Sequence, residues 1–191
     1  MKSSQKEPEG YLILVVGNSG SGKDTIIKEV ILKNQTLKLI APKRYITRIP
    51  SVDEDNIFLT EEEFHQKSIQ HEFAIEWEIY GLKYGVLREI NDWLMNGYFV
   101  IINVSRNVVE ETKKKYRKCK VIFIDVPFET ILKRILKRGR EEKAALEQRI
   151  ARAKQNQEYP KADFVVDNSG KLENAVNQFI TYLNTLEINE N

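Results

Sequence analysis

The stretch LVVGNSGSGKDTIIKEV, residues 14–30, decides the fold. Apolar residues run into Gly17, four residues separate it from Gly22, and Lys23 follows, the G-x-x-x-x-G-K spacing of a phosphate-binding loop. Glycines let the backbone turn its N–H groups toward an anion, and a lysine at this place reaches a nucleotide's terminal phosphates. Gly17, Asn18, Ser19, Gly20, Ser21, Gly22, Lys23, Asp24 and Thr25 are therefore the candidate nucleotide contacts. Asp24 stands where a serine or threonine usually ligates magnesium. A carboxylate is a hard oxygen ligand that can hold the ion directly or through water, although it adds negative charge beside the phosphates. Thr25 keeps a hydroxyl next door. The competing account is an anion favoured by the dipole in the first turn of a helix.

Working outward, residues 11–16 (YLILVV) are continuously apolar, as in a strand buried on both faces of a parallel sheet. Beyond the loop, Ile26, Ile27, Val30 and Ile31 make one apolar face of a helix expected over 22–34. The buried-strand pattern returns at 98–103 (YFVIIN), 121–126 (VIFIDV) and 164–166. Helices are expected over 86–96, 107–118, 128–137 and 172–186, the last with a sustained 3.6-residue apolar period. Strands alternating with helices predict an α/β fold on a parallel sheet.

Two stretches break that rhythm. Residues 43–85 hold a short strand-like piece, an acidic helix start at TEEEF (60–64) and the aromatic, glycine-paired WEIYGLKYG, an excursion suited to substrate contacts. Residues 137–158 are polar, helix-favouring and rich in arginine, with little apolar face to bury, the composition of a lid that opens at low free-energy cost. Arg149 and Arg152 are three apart there and share one helix face, where pairing with Glu141, Glu142 or Glu147 is the plainer role.

At 191 residues, 41% hydrophobic and 30% charged, the chain suits one globular domain with a full core. Thirty basic against 28 acidic residues leave a net charge of +2, so a long nucleic acid is not implied. One cysteine, Cys119, makes no disulfide or metal quartet, and the longest apolar run is far shorter than the roughly 20 residues a membrane span needs. A cytoplasmic protein is expected. Trp77 and Trp93 read as packing residues, and His65 and His71 as surface groups.

The pieces GNSGSGKDT (17–25), RYITR (44–48), Trp77 with YGLKYGV (80–86), NVSR (103–106) and RGRE (138–141) resemble the guanylate-kinase-like branch of P-loop kinases. Within it, the GKD pattern is most similar to the ribose 1,5-bisphosphate phosphokinases of phosphonate metabolism. That resemblance implies a P-loop NTPase, three-layer α/β/α, with a central parallel five-stranded sheet. It implies one kinase domain whose core is 10–42, 86–136 and 159–191, with an acceptor-binding region at 43–85 and a lid at 137–158. It also implies ATP and Mg2+ as cofactors, and transfer of the γ-phosphoryl to the 1-phosphate of ribose 1,5-bisphosphate, giving phosphoribosyl diphosphate (PRPP).

By the same resemblance, Lys23, Arg138 and Arg149 are the catalytic cations, with Arg140 and Arg152 as further nucleotide contacts. Phosphoryl transfer needs in-line positioning and positive charge around the moving oxygens more than covalent help. Arg44, Tyr45, Arg48, Glu76, Tyr84 and Arg106 are the expected acceptor contacts. An arginine fork suits phosphate oxygens, and Arg106 follows a strand whose carboxyl end is where open α/β sheets bind ligands. Two alternatives stay open. Glu76 falls where guanylate kinases hold guanine, which favours GMP; Asp24, Ser51 in place of a second arginine, and NVSR in place of an acidic pair favour the sugar bisphosphate. The other alternative is a non-catalytic interaction module, against which Lys23 and the arginine-rich lid argue. The expected partner is a small phosphorylated acceptor, without nucleic acid or membrane, and a homodimer is allowed.

Overall fold

A computed structural model of the chain describes residues 10–50, 54–138 and 143–188. Its strands are β1 (Leu12–Val16), β2 (Leu39–Ile40), β3 (Tyr45–Ile46), β4 (Ile57–Phe58), β5 (Phe73–Ile79), β6 (Leu82–Leu87), β7 (Phe99–Asn103), β8 (Cys119–Asp125) and β9 (Phe164–Asp167). The helices are α1 (Lys23–Lys33), α2 (Glu61–Ile69), α3 (Ile90–Met95), α4 (Val109–Lys115), α5 (Phe128–Arg138), α6 (Lys143–Gln155) and α7 (Leu172–Ile188). A five-stranded sheet has the order β2-β7-β1-β8-β9, and a four-stranded sheet the order β4-β3-β6-β5. Parallel pairs Leu39↔Phe99 and Ile122↔Phe164 set the register at the two edges of the first. The α/β fold on a central five-stranded sheet is the expected one.

The chain divides into two compact units: residues up to Ile13 with Thr36–Lys120, and Leu14–Gln35 with residues from Val121 on. In the second, α1 and α7 pack together. Ile26 and Val30 of α1 and Val176, Phe179 and Leu183 of α7 are fully or almost fully buried, the faces their helical periods predict. In the first, β5 and β6 form an antiparallel ribbon against β3, with α2 over one face. Thr60 starts α2 through a capping box with Glu63, and Phe64 then packs with Leu59 and Phe73. Gly85 is needed there because a Cβ would lie 2.5 Å from the Phe73 ring.

Two expectations are corrected, and one strand was not foreseen. The helix expected over 86–96 begins only at Ile90, because Val86 and Leu87 belong to β6, paired with Ile75 and Phe73. The helix expected over 107–118 is a 3-10 turn (Arg106–Val108) followed by α4, and it stops at an extended Tyr116 so that β8 can start at buried Cys119. Strand β2, two residues long, is too short to carry a periodic signal. No helix among the described residues is long and apolar enough to cross a membrane.

Candidate active site

The loop between β1 and α1 is closed by its own lysine. Lys23 Nζ donates to the carbonyls of Gly17 and Asn18, at 2.8 Å each, and to Ser21 Oγ at 3.4 Å. Its positive charge is thereby held against the loop's own carbonyls. Gly22 has φ +86, a left-handed conformation that glycine adopts without strain. A Cβ there would also meet the Asn168 amide at 2.9 Å.

Three side chains from later in the chain hold the loop from outside, and one loop side chain reaches back. Asn168, buried at the end of β9, donates to the Ser21 carbonyl at 2.8 Å, while its own N–H is bonded to Asp125. Arg134 of α5 donates to the Gly20 carbonyl at 3.1 Å, and Arg149 of α6 to Ser19 Oγ at 3.3 Å. Asn18 points outward and donates to the carbonyls of Ala153 and Asn156 at 3.1 and 2.9 Å, capping the last turn of α6. Arg152 lies one turn beyond Arg149 on α6 and is half-buried. Arg138 closes α5, but its side chain and all of Arg140 lie outside the described residues, as does Ser51.

On the other unit, Arg48 and Arg44 both act on the Tyr84 hydroxyl. Burial raises its pKa above the ordinary tyrosine value, and the Arg48 and Arg44 charges partly offset this, Arg48 also through a hydrogen bond. The tyrosine is therefore a protonated donor at neutral pH. Its ring stacks on Trp77, directly opposite on β5, with centroids 5.3 Å apart and planes 4° from parallel. Arg48 also pairs with Glu54 at 2.8 Å and donates to the Ile49 carbonyl. Arg44 donates through Nε to Asn56 Oδ1 and through Nη1 to the Asn103 carbonyl, each at 3.2 Å.

Not every expected acceptor residue joins this group. Tyr45 and Glu76 are both paired with Gly85, so strand alternation turns them to the face opposite Tyr84. Tyr45 packs against the cluster beneath α2, and Glu76 is exposed. Arg106 begins the 3-10 turn after β7 and is half-buried, close in sequence to the Asn103 carbonyl that orients Arg44. Trp77 is buried, as expected of a packing residue, and His65 and His71 are exposed.

A family model described as guanylate kinase matches residues 9–186. The chain belongs to the guanylate kinase family. Within that family it is 38% identical over 151 residues to the ribose 1,5-bisphosphate phosphokinase PhnN of Thiobacillus denitrificans, across 77% of this chain and 78% of that one. It is 34% identical over 178 residues to the protein of the same name from Enterobacter lignolyticus, across 92% and 93%. Its fold matches the crystal structure of guanylate kinase from Anaplasma phagocytophilum, with a TM-score of 0.70 at 19% identity over 94% of this chain and 87% of that one.

As a member of a kinase family the chain is expected to use a nucleotide and magnesium, and its donors fit them. Asp24 and Thr25 place exposed oxygens in the first turn of α1, beside the loop. Among the described residues no group of three or more His, Cys, Asp or Glu side chains could hold a metal by itself. Magnesium is commonly held by one or two carboxylates together with substrate phosphates, a role open to Asp24.

Sequence reasoning missed five residues that bond to the candidate site: Arg134, Asn168, Asn56, Glu54 and Asn103. Arg134 reads as the polar side of an amphipathic helix. Asn168 follows directly after a predicted strand, and a polar residue at the carboxyl end of a parallel strand was the available signal. The other three act through pairings that local sequence does not display.

Proposed function

We propose that this chain transfers the γ-phosphoryl group of ATP to the 1-phosphate of ribose 1,5-bisphosphate, producing phosphoribosyl diphosphate. The single observation that carries the reading is the acceptor site: Arg48 and Arg44 bear on the Tyr84 hydroxyl, while Glu76 is turned to the opposite face of the ribbon. Such a site offers cations and a directional hydroxyl to phosphate oxygens, without the carboxylate that would read a guanine. The name carried by the relatives at 38% and 34% identity supports it.

In this reading the loop amides and Lys23 take the β- and γ-phosphates, and Asp24 and Thr25 contribute to the magnesium shell. Magnesium, when bound, would supply charge neutralisation between the phosphates. Lys23 moves from its two loop carbonyls onto phosphate oxygen, exchanging neutral acceptors for a charged one. Arg149, anchored on Ser19, adds positive charge that the dissociating phosphoryl group requires, with Arg138, Arg140 and Arg152 as further candidates. Arg48 and Tyr84 hold the acceptor phosphate, and because that phosphate is already anionic no strong general base is called for.

The deciding experiment is turnover of ATP by the purified protein with ribose 1,5-bisphosphate or GMP, followed by product analysis. Phosphoribosyl diphosphate should accumulate at a kcat/KM at least tenfold above that for GDP formation. Comparable or faster use of GMP would make it a guanylate kinase. No turnover with either acceptor, and no thermal shift with ATP, would point to a non-catalytic module.

A further inference from the structure

We propose that the side chain of Asn18 is a positioning device, which sets α6, and with it Arg149, against the phosphate loop; this rests on the nucleotide side of the reading above. The backbone of Asn18 stays with the loop, where its carbonyl accepts from Lys23. Its amide turns the other way. Nδ2 donates to the Ala153 carbonyl at 3.1 Å and to the Asn156 carbonyl at 2.9 Å. Two carbonyls can be met only by the NH2 end of an amide, so the partners fix its orientation. Both lie where α6 runs out and has few N–H groups of its own to offer. The Gln157 side chain shares the first of them.

The helix presents one stripe to the loop. Ala153 and Asn156 stand four and seven residues after Arg149, positions that stack along one side of a helix. Ala153 is buried and Arg149 and Asn156 half-buried, whereas Glu147, Gln148, Ala151 and Lys154 are exposed. At the near end of the stripe Arg149 donates to the hydroxyl of Ser19, the loop residue next to Asn18, at 3.3 Å. Neighbouring loop residues thus grip α6 at points up to ~10 Å apart along its axis, at about 1.5 Å of rise per residue. The arginine contact is long for a hydrogen bond and lets the helix pivot; the amide at the far end removes that freedom.

A brace for the loop itself is the competing role. The loop is already braced by Lys23 on Gly17 and Asn18, Arg134 on Gly20 and Asn168 on Ser21, and none of these bonds uses the Asn18 side chain. What that side chain adds is the tie to the helix. Asn18 is then the positioning residue, and Arg149 the group that would touch phosphate.

The test is a double-mutant cycle on the full chain, read as the dissociation constant of ATP with magnesium, by calorimetry and without acceptor. Arg149→Ala should weaken ATP about tenfold or more, the worth of a charge-assisted contact. Asn18→Ala should weaken it severalfold. The double variant should bind as Arg149→Ala does, because the helix then has no arginine to place. Asn18→Gln, which keeps a donor one methylene farther out, should recover part of the loss; should Asn18→Ala not fold, the smaller loss in Asn18→Gln is read through the same cycle. A residue that only braces the loop acts whatever α6 carries, so factors that multiply in the double variant overturn the positioning role. So does an Asn18 variant that binds ATP as the unaltered protein does. A silent Arg149→Ala would reject Arg149 as a nucleotide contact, and the role of Asn18 with it. Because no acceptor is present, a coupled cycle in a protein that makes no phosphoribosyl diphosphate would sink the proposed reaction and leave Asn18 in its role.

Discussion

In the proposed function the nucleotide side turns on Lys23, whose Nζ sits between two loop carbonyls and a hydroxyl. Lys23→Ala removes a cation from developing phosphoryl charge and should lower kcat by about 10³-fold, with the fold retained by far-UV circular dichroism. Near-normal turnover would reject the loop as the catalytic phosphate site. Asp24 poses a finer question, because a carboxylate at the first turn of α1 serves both a metal and a helix dipole. Asp24→Ser should shift the magnesium concentration for half-maximal rate severalfold. If magnesium titrations of the two proteins superimpose, the aspartate is only a helix-start charge. The loop itself was legible from spacing alone, as strand, glycines and lysine are neighbours in sequence.

Among the elements, the β5–β6 ribbon sets the proposed acceptor site by deciding which side chains share a face. Trp77 opposite Tyr84 stacks the tyrosine into place, and Gly85 opposite Glu76 admits the Phe73 ring on the other side. Gly85→Ala should destabilise the fold by about 1–3 kcal/mol through overpacking against Phe73, read as a lowered urea midpoint at unchanged m-value. An unshifted midpoint would show that the ring has room to give. Helix α6 shows the reverse case, a polar sequence whose end is held by Asn18 and whose Ala153 is buried. Its scarcity of apolar residues was readable in advance, but its attachment to the loop through an amide 135 and 138 residues away was not.

At the scale of the whole molecule, each unit carries a tyrosine that reports its integrity at high pH. Tyr116, whose hydroxyl donates to Asn91, and Tyr182, stacked on Phe164, are both pushed up to about 12, chiefly by burial. An unfolded tyrosine loses its proton near pH 10, so between about 10 and 12 the unfolded chain binds fewer protons than the native one. The stabilisation is thus complete below about pH 10 and drains away as pH climbs toward 12. Tyr116→Phe should flatten the fall of unfolding free energy across that window, and an unaltered alkaline slope would show that another group governs it. The alternation of buried strands with amphipathic helices and the glycine loop with its lysine were determined by the sequence itself, because each depends on residues within a few positions of one another. Only the tertiary structure decided that Arg44 is oriented by a carbonyl 59 residues away, that Asn168 clamps Ser21 across 147, and that Glu76 turns away from Tyr84. The physical reason is that strand register and side-chain hydrogen bonds between distant segments are settled when the sheets assemble, and a shift of one residue in pairing exchanges the faces without altering any local pattern.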